Sequence, residues 1–100
     1  MYAVIFEVNV KDTDKDEYLN IAARLKEQLI QMDGFISIER FQSLLDQGKL
    51  LSLSFWETKE SIDLWKQNLD HMQAQSDGRN RLFEEYRIRV AEVLKDYTME

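Results

Sequence analysis

KLLSLSFWETKESIDLWKQNLDHM, residues 49–72, runs from an apolar strand straight into a capped helix. In its first part Leu51, Leu53 and Phe55 alternate with Ser52, Ser54 and Trp56, the period of two that sends successive side chains to opposite faces of a strand. Thr58 follows, and its hydroxyl suits the orphan N–H groups of a helix start. Beyond it Ile62, Trp65, Leu69 and Met72 recur at helical spacing and form a core stripe. A neighbouring line on the same helix holds Leu64, Asn68, His71 and Gln75. His71 is the only histidine in the chain. A strand delivered directly into an amphipathic helix predicts a helix lying over a sheet, and the chemistry is expected at that contact.

Upstream, Tyr2–Val10 alternates, with Tyr2, Val4, Phe6, Val8 and Val10 on one side and Ala3, Ile5, Glu7 and Asn9 on the other. This reads as a strand. Lys11–Asp16 breaks the pattern; Thr13 or Asp14 can cap a helix there, and Asp16 and Glu17 favour its positive end. Tyr18, Ala22, Leu25, Leu29 and Met32 make one helical stripe, which Leu19, Ala23 and Ile30 widen. Asp33-Gly34 ends it, with Gly34 suited to a left-handed cap. Phe35–Leu44 reads as a second strand. The short turn at residues 45–48, with Gly48 free to take positive φ, makes a hairpin with the strand that follows. After the second helix a break is expected near Ser76–Gly78, then a helical turn through Leu82 and Phe83. Arg87–Lys95 reads as the last strand. The order is β-α-β-β-α-β, the split arrangement of ferredoxin-like α+β folds: a four-stranded antiparallel sheet with two helices on one face.

One hundred residues make one domain, residues 1–100. The formal charge of -6 argues against nucleic acid as a partner, because counterion displacement needs a basic stripe. No apolar run is long enough to span a bilayer and the N-terminus reads as a strand, so neither a membrane nor a leader is expected, and the cytoplasm is the expected location. The chain has no cysteine, which excludes disulfides and thiolate chemistry; one histidine among scattered acids builds no metal site.

Two helices cover only one side of four strands. Yet the other side still carries apolar residues, over a footprint of roughly 400 Å². A patch of that size marks an interface, and a twofold homodimer packed sheet to sheet is expected.

The segments DGFISIERFQS, GKLLSLSFW, WKQNLDHMQAQSDGR and YRIRVAEV together resemble the antibiotic biosynthesis monooxygenase family, over roughly residues 2–95. The resemblance implies a ferredoxin-like protomer in a dimeric α+β barrel. It also implies cofactor-independent oxidation of a small aromatic, quinol- or anthrone-like substrate by oxygen. Such a reaction needs an apolar pocket, a proton acceptor and a group that stabilises the anion. On this reading Trp65 forms a wall and His71 exchanges the proton. Phe6, Phe55 and Phe83 are further lining, while Asn9, Arg40 and Arg87 are polar partners. A non-catalytic ligand-binding module of the same fold is the first alternative. Haem binding or degradation is the second, and there the sequence departs from the pattern. The haem-degrading branch carries its proximal histidine ten residues after the tryptophan, where this chain has Gln75; His71 stands only six after Trp65, about 120° around the helix.

Each candidate also has a plain structural reading. Trp65 lies in the core stripe, where packing alone would account for it. His71 stands beside that stripe, Asn9 at a strand end, and Arg40 next to Glu39 in position for cross-strand pairing. Glu84 and Glu85 are adjacent and diverge, so they form no acid–base dyad.

Overall fold

Strand pairing decides the architecture. The computed structural model describes residues 1–10, 15–75 and 85–99, without the side chains of Lys15 and of residues 71–75. The elements are β1 (Tyr2–Asn9), α1 (Lys15–Leu29), β2 (Phe35–Gln42), β3 (Lys49–Trp56), α2 (Lys59–Gln75) and β4 (Glu85–Glu92). The sheet order is β2-β3-β1-β4, antiparallel throughout, so the expected ferredoxin-like α+β arrangement is the one observed. The expected helical turn at Leu82 and Phe83, the break near Ser76–Gly78 and the Thr13 or Asp14 cap fall outside the described residues.

Register assigns the two faces. Val4, Phe6 and Val8 stand opposite Ser54, Ser52 and Leu50 on β3, and opposite Val90, Ile88 and Tyr86 on β4. This is the side the helices cover, because Tyr18 and Leu29 of α1 and Ile62 and Leu69 of α2 join Val4, Phe6, Val8 and Trp56 in the core. The serines of β3 therefore face inward and Leu51, Leu53 and Phe55 face out. The helices contribute the large side chains, so small ones fit the middle of the sheet. Trp56 is fully buried, and its indole N–H donates to Ser54 Oγ at 2.9 Å, so that neither polar atom is stranded.

Several boundaries shift from the sequence reading, each for a local reason. β4 begins two residues earlier than expected and stops at Glu92, the partner of Tyr2 at the start of β1; Val93 N still donates to Met1 O at 3.0 Å. β2 stops at Gln42, where Ser43 Oγ turns to accept the N–H groups of Leu45 and Asp46. In α1 the stripe Tyr18, Ala22 and Leu29 is buried, but Leu19, Ala23 and Ile30 are exposed, so the apolar face is narrower than expected. Gly34 takes the left-handed conformation, at φ 85°. Gly48 does not; a Cβ there would make a tight 3.1 Å approach to Val10 O, whose residue donates its N–H to Gly48 O at 2.8 Å.

Candidate functional site

Trp65 reaches its place through the start of α2. Thr58 Oγ1 accepts the Ser61 N–H at 3.2 Å and lies 2.8 Å from Ser61 Oγ, as the expected cap requires. Gly34 packs against Ser61, and its carbonyl accepts the Glu57 N–H at 2.7 Å, so the turn after α1 fixes the origin of α2. One turn on, Trp65 is half-buried. Its ring meets Phe6 edge-on at 6.2 Å and lies 6.4 Å from Trp56, which Phe35 supports from the other side at 5.3 Å. Aromatic pairs in these geometries contribute about 0.5–1.5 kcal/mol each beyond area burial.

On one flank of Trp65, α1 and α2 border a shallow, open cleft with about 10 Å³ of space for a water-sized molecule, lined by Leu25, Gln28, Leu29, Met32, Trp65, Asn68 and Leu69. Two amides supply its polar contacts, and no residue of that lining is ionisable. On the other flank, Tyr86 of β4 lies against Phe6 at 5.6 Å. Lys66 Nζ is 6.0 Å from the centre of the Tyr86 ring and pairs with Asp70 one turn further along α2.

The structure divides the residues singled out from the sequence. Phe6, Trp65 and Arg40 are on the helix-covered face. Asn9, Phe55 and Arg87 belong to the opposite face, by alternation along β1, β3 and β4. Asn9 and Arg87 are exposed there, and Phe55 is half-buried. Phe83 and the His71 side chain lie outside the described residues. By helical register, position 71 continues the line of Leu64 and Asn68, both exposed, one turn past the Asn68 that borders the cleft.

Arg40 stands opposite Ser52 and Glu39 opposite Leu53, so the expected cross-strand charge pairs do not form at these positions, and Arg40 is used elsewhere. It turns under α1, where Nη2 donates to Ala22 O at 3.3 Å and Nε is buried without a protein partner. It adjoins Tyr18. Burial raises the Tyr18 pKa, and the charge and hydrogen bond of Arg40 oppose that rise. Sequence reasoning passed over Tyr18 as a polar group, and missed Tyr86 and Lys66 entirely. Two signals were present: Lys66 is four residues after Ile62 and so shares its buried side, and Tyr86 keeps the parity of Ile88. Among the described residues no three acids or histidines gather as a metal site, and no helix is long and apolar enough to cross a membrane.

The model of the family described as antibiotic biosynthesis monooxygenase matches residues 1–77. The chain is 42% identical over 93 residues to the jasmonate monooxygenase ABM of Pyricularia oryzae; the match takes in 93% of this chain but 43% of that protein, so the chain spans less than half of its length. Two solved structures share the fold. The haem degrader MhuD of Mycobacterium tuberculosis, with two haems bound in its active site, superposes with a TM-score of 0.75 at 15% identity, over 98% of this chain and 100% of that one. SnoaB, a cofactor-independent oxygenase from Streptomyces nogalater, superposes with a TM-score of 0.75 at 11% identity, over 95% and 94%. At these identities the likeness is one of fold alone.

Proposed function

The chain belongs to the antibiotic biosynthesis monooxygenase family, and from that premise we propose that it oxidises a small, largely apolar organic substrate with molecular oxygen, without a cofactor. The observation that carries this reading is the setting of Trp65: a half-buried ring, braced by Phe6 and Trp56, that opens on an apolar cleft. Quinol- and anthrone-like molecules suit it chemically. Once such a substrate loses a proton it is electron-rich enough to react with oxygen directly, and the protein has only to bind it, remove the proton and stabilise the anion. For an anthrone, one oxygen atom enters the ring system as a ketone and the other leaves as water with the two displaced hydrogens.

In this scheme Trp65 supplies a flat apolar wall, Gln28 and Asn68 hydrogen-bond substrate oxygens, and His71 accepts the proton from the end of the Asn68 line. The 42% identity to a jasmonate monooxygenase supports a second substrate class, a cyclic ketone of oxylipin type. We also infer a homodimer through the open sheet face, where Ile5, Leu51, Leu53 and Phe55 are half-buried and Phe41 is 45% exposed.

Oxygen uptake by the purified protein, freed of metal by chelation, tests the reading with an anthrone, a reduced naphthoquinol and jasmonate side by side. The expected result is a protein-dependent rate above the buffer rate for at least one class, with label from ¹⁸O₂ in the product. Buffer rates for all three would remove the oxygenase reading. Quenching of tryptophan fluorescence by the same compounds, lost in Trp65→Phe, would then leave the ligand-binding module in its place.

A further inference from the structure

Three rings lead outward from the core on the β4 flank of α2: Trp65, then Phe6 at 6.2 Å, then Tyr86 at 5.6 Å from Phe6. The run ends at an ammonium, Lys66 Nζ, 6.0 Å from the Tyr86 ring centre. Phe6 is sealed in, but Tyr86 is 40% exposed and Val90, two residues beyond Ile88 on the same side of β4, is 51% exposed. Among the described residues the edge of the sheet beside α2 is therefore only partly covered.

The ordinary reading of Lys66 is a surface ion pair with Asp70 at i,i+4, worth about 0.3–0.5 kcal/mol. The surroundings go beyond that. An ammonium has three donors. Among the described residues Asp70 takes one and Tyr86 contributes a weaker hydrogen bond, while the side chain stays 38% exposed to an incoming oxygen. Hydrogen bonding to Asp70 first, and Tyr86 to a smaller degree, raises the Lys66 pKa, so the amine stays charged over the range in which a phenol ionises. Asp70 on α2 and Tyr86 on β4 are the titratable groups that act on it among the described residues. A cation fixed by one carboxylate, beside a phenol and an exposed apolar strip, is complementary to an organic anion.

We propose that Lys66, assisted by the Tyr86 hydroxyl, binds the oxygen anion of a phenolate or enolate whose apolar body lies along Tyr86 and Val90. In the ionisation the O–H bond of a phenol, or the α C–H bond of a ketone, breaks; the proton leaves to a base, and the negative charge rests on the oxygen that faces Lys66. This site lies on the opposite flank of Trp65 from the α1–α2 cleft and gives the oxygenase reading a second place at which an organic anion can be held. It rests on the oxygenase reading for its purpose, though not for its binding test.

The test uses 4-nitrophenol, whose anion is coloured, titrated by absorbance in free solution and bound to the full chain. Bound to the wild type, its pKa falls by about one unit, a roughly tenfold preference for the anion over the phenol. Lys66→Arg keeps most of that shift, Tyr86→Phe reduces it, and Lys66→Met returns the probe to its free value while the circular dichroism spectrum is unchanged. An unshifted probe in the wild type, a shift that survives Lys66→Met, or no saturable binding up to millimolar probe each overturns the proposal. Failures of the two ideas look different. A Lys66-dependent shift without oxygen uptake removes the oxygenase reading and keeps the anion site. Turnover that Lys66→Met leaves intact, with an unshifted probe, does the reverse.

Discussion

Gly34→Ala should destabilise this protein far more than its place in a surface turn suggests. Gly34 sits at φ 85°, where an L side chain costs roughly 1–2 kcal/mol. The added Cβ would lie 2.2 Å from Ser61 Oγ and 3.0 Å from Ser61 Cβ. Rotating the hydroxyl relieves the first clash and breaks its 2.8 Å contact with Thr58 Oγ1, a loss of about 0.5–1.5 kcal/mol. It does not relieve the second, so the turn and the first turn of α2 must move apart, an overpacking cost of about 1–3 kcal/mol. Against these stands about 0.4–1 kcal/mol gained because alanine restricts the unfolded chain. The net is about 1.5–6 kcal/mol, and each kcal/mol lowers Tm by roughly 4–8 °C for a chain of this size. Urea unfolding followed by tryptophan fluorescence, at one fixed protein concentration because association would add to stability, measures it. Adding Ser61→Ala removes the nearer clash, so the double variant should be less destabilised than the two single losses added together. A loss below about 1 kcal/mol, or strict additivity with Ser61→Ala, would refute the reasoning.

The remaining expectations follow from single observations. Leu53→Lys puts a charge in the middle of the open face, and light scattering should fall from about twice the 12.0 kDa chain mass to that of one chain; a wild type that is monomeric at all accessible concentrations would remove the interface. His71→Ala should lower any turnover by about 10²-fold and abolish a rate rise centred near the histidine pKa of roughly 6.5, so a rate and profile equal to wild type would end its role as proton acceptor. Tyr18 should ionise above the ordinary tyrosine range. Because its folded pKa is raised, its contribution to stability is intact below about pH 10, where the unfolded chain titrates, and is lost as pH climbs through the folded value. Ultraviolet difference titration of wild type against Tyr18→Phe checks this, and a Tyr18 that titrates with the exposed tyrosines would contradict the burial argument.

Periodicity made the elements legible and left their environment open. The alternation Leu51, Ser52, Leu53, Ser54, Phe55, Trp56 states that two faces exist but not which one the helices cover. Polarity alone favours the leucines for the core; the structure buries the serines, because Trp65, Leu69, Tyr18 and Leu29 arrive from above with the volume. That one fact separates Phe55, Asn9 and Arg87 from Phe6, Trp65 and Arg40. Strand limits failed for a related reason. Val93 and Leu94 have the composition of a strand, but the ladder with β1 closes at the Tyr2–Glu92 pair, followed only by the Val93 N–H to Met1 O bond, and Leu94 is 84% exposed. Starting that strand at Arg87 put Tyr86 outside it, and with Tyr86 went the partner that gives Lys66 its meaning. Arg40 escaped in another way, since no pattern in the sequence places an arginine beneath the carbonyl of Ala22.

The two tryptophans show how the core and the site divide one structure between them. Trp56 has spent its polar atom inside the protein: the indole N–H is satisfied by Ser54, Phe35 flanks the ring, and nothing of it reaches solvent. Removing the serine oxygen, as in Ser54→Val, would leave that donor buried without a partner at about 1–3 kcal/mol, an effect on stability that any substrate would be indifferent to. Trp65 rests on Trp56 and Phe6 yet remains half-open, bordering the α1–α2 cleft on one side and leading through Phe6 to Tyr86 and Lys66 on the other. Its orientation is thus set by residues that cannot move without unfolding the sheet, while its free edge stays available to a ligand. Rigid support beneath and access above are what a binding wall needs, so substitutions at Trp56 should be read first in stability, and those at Trp65 first in binding.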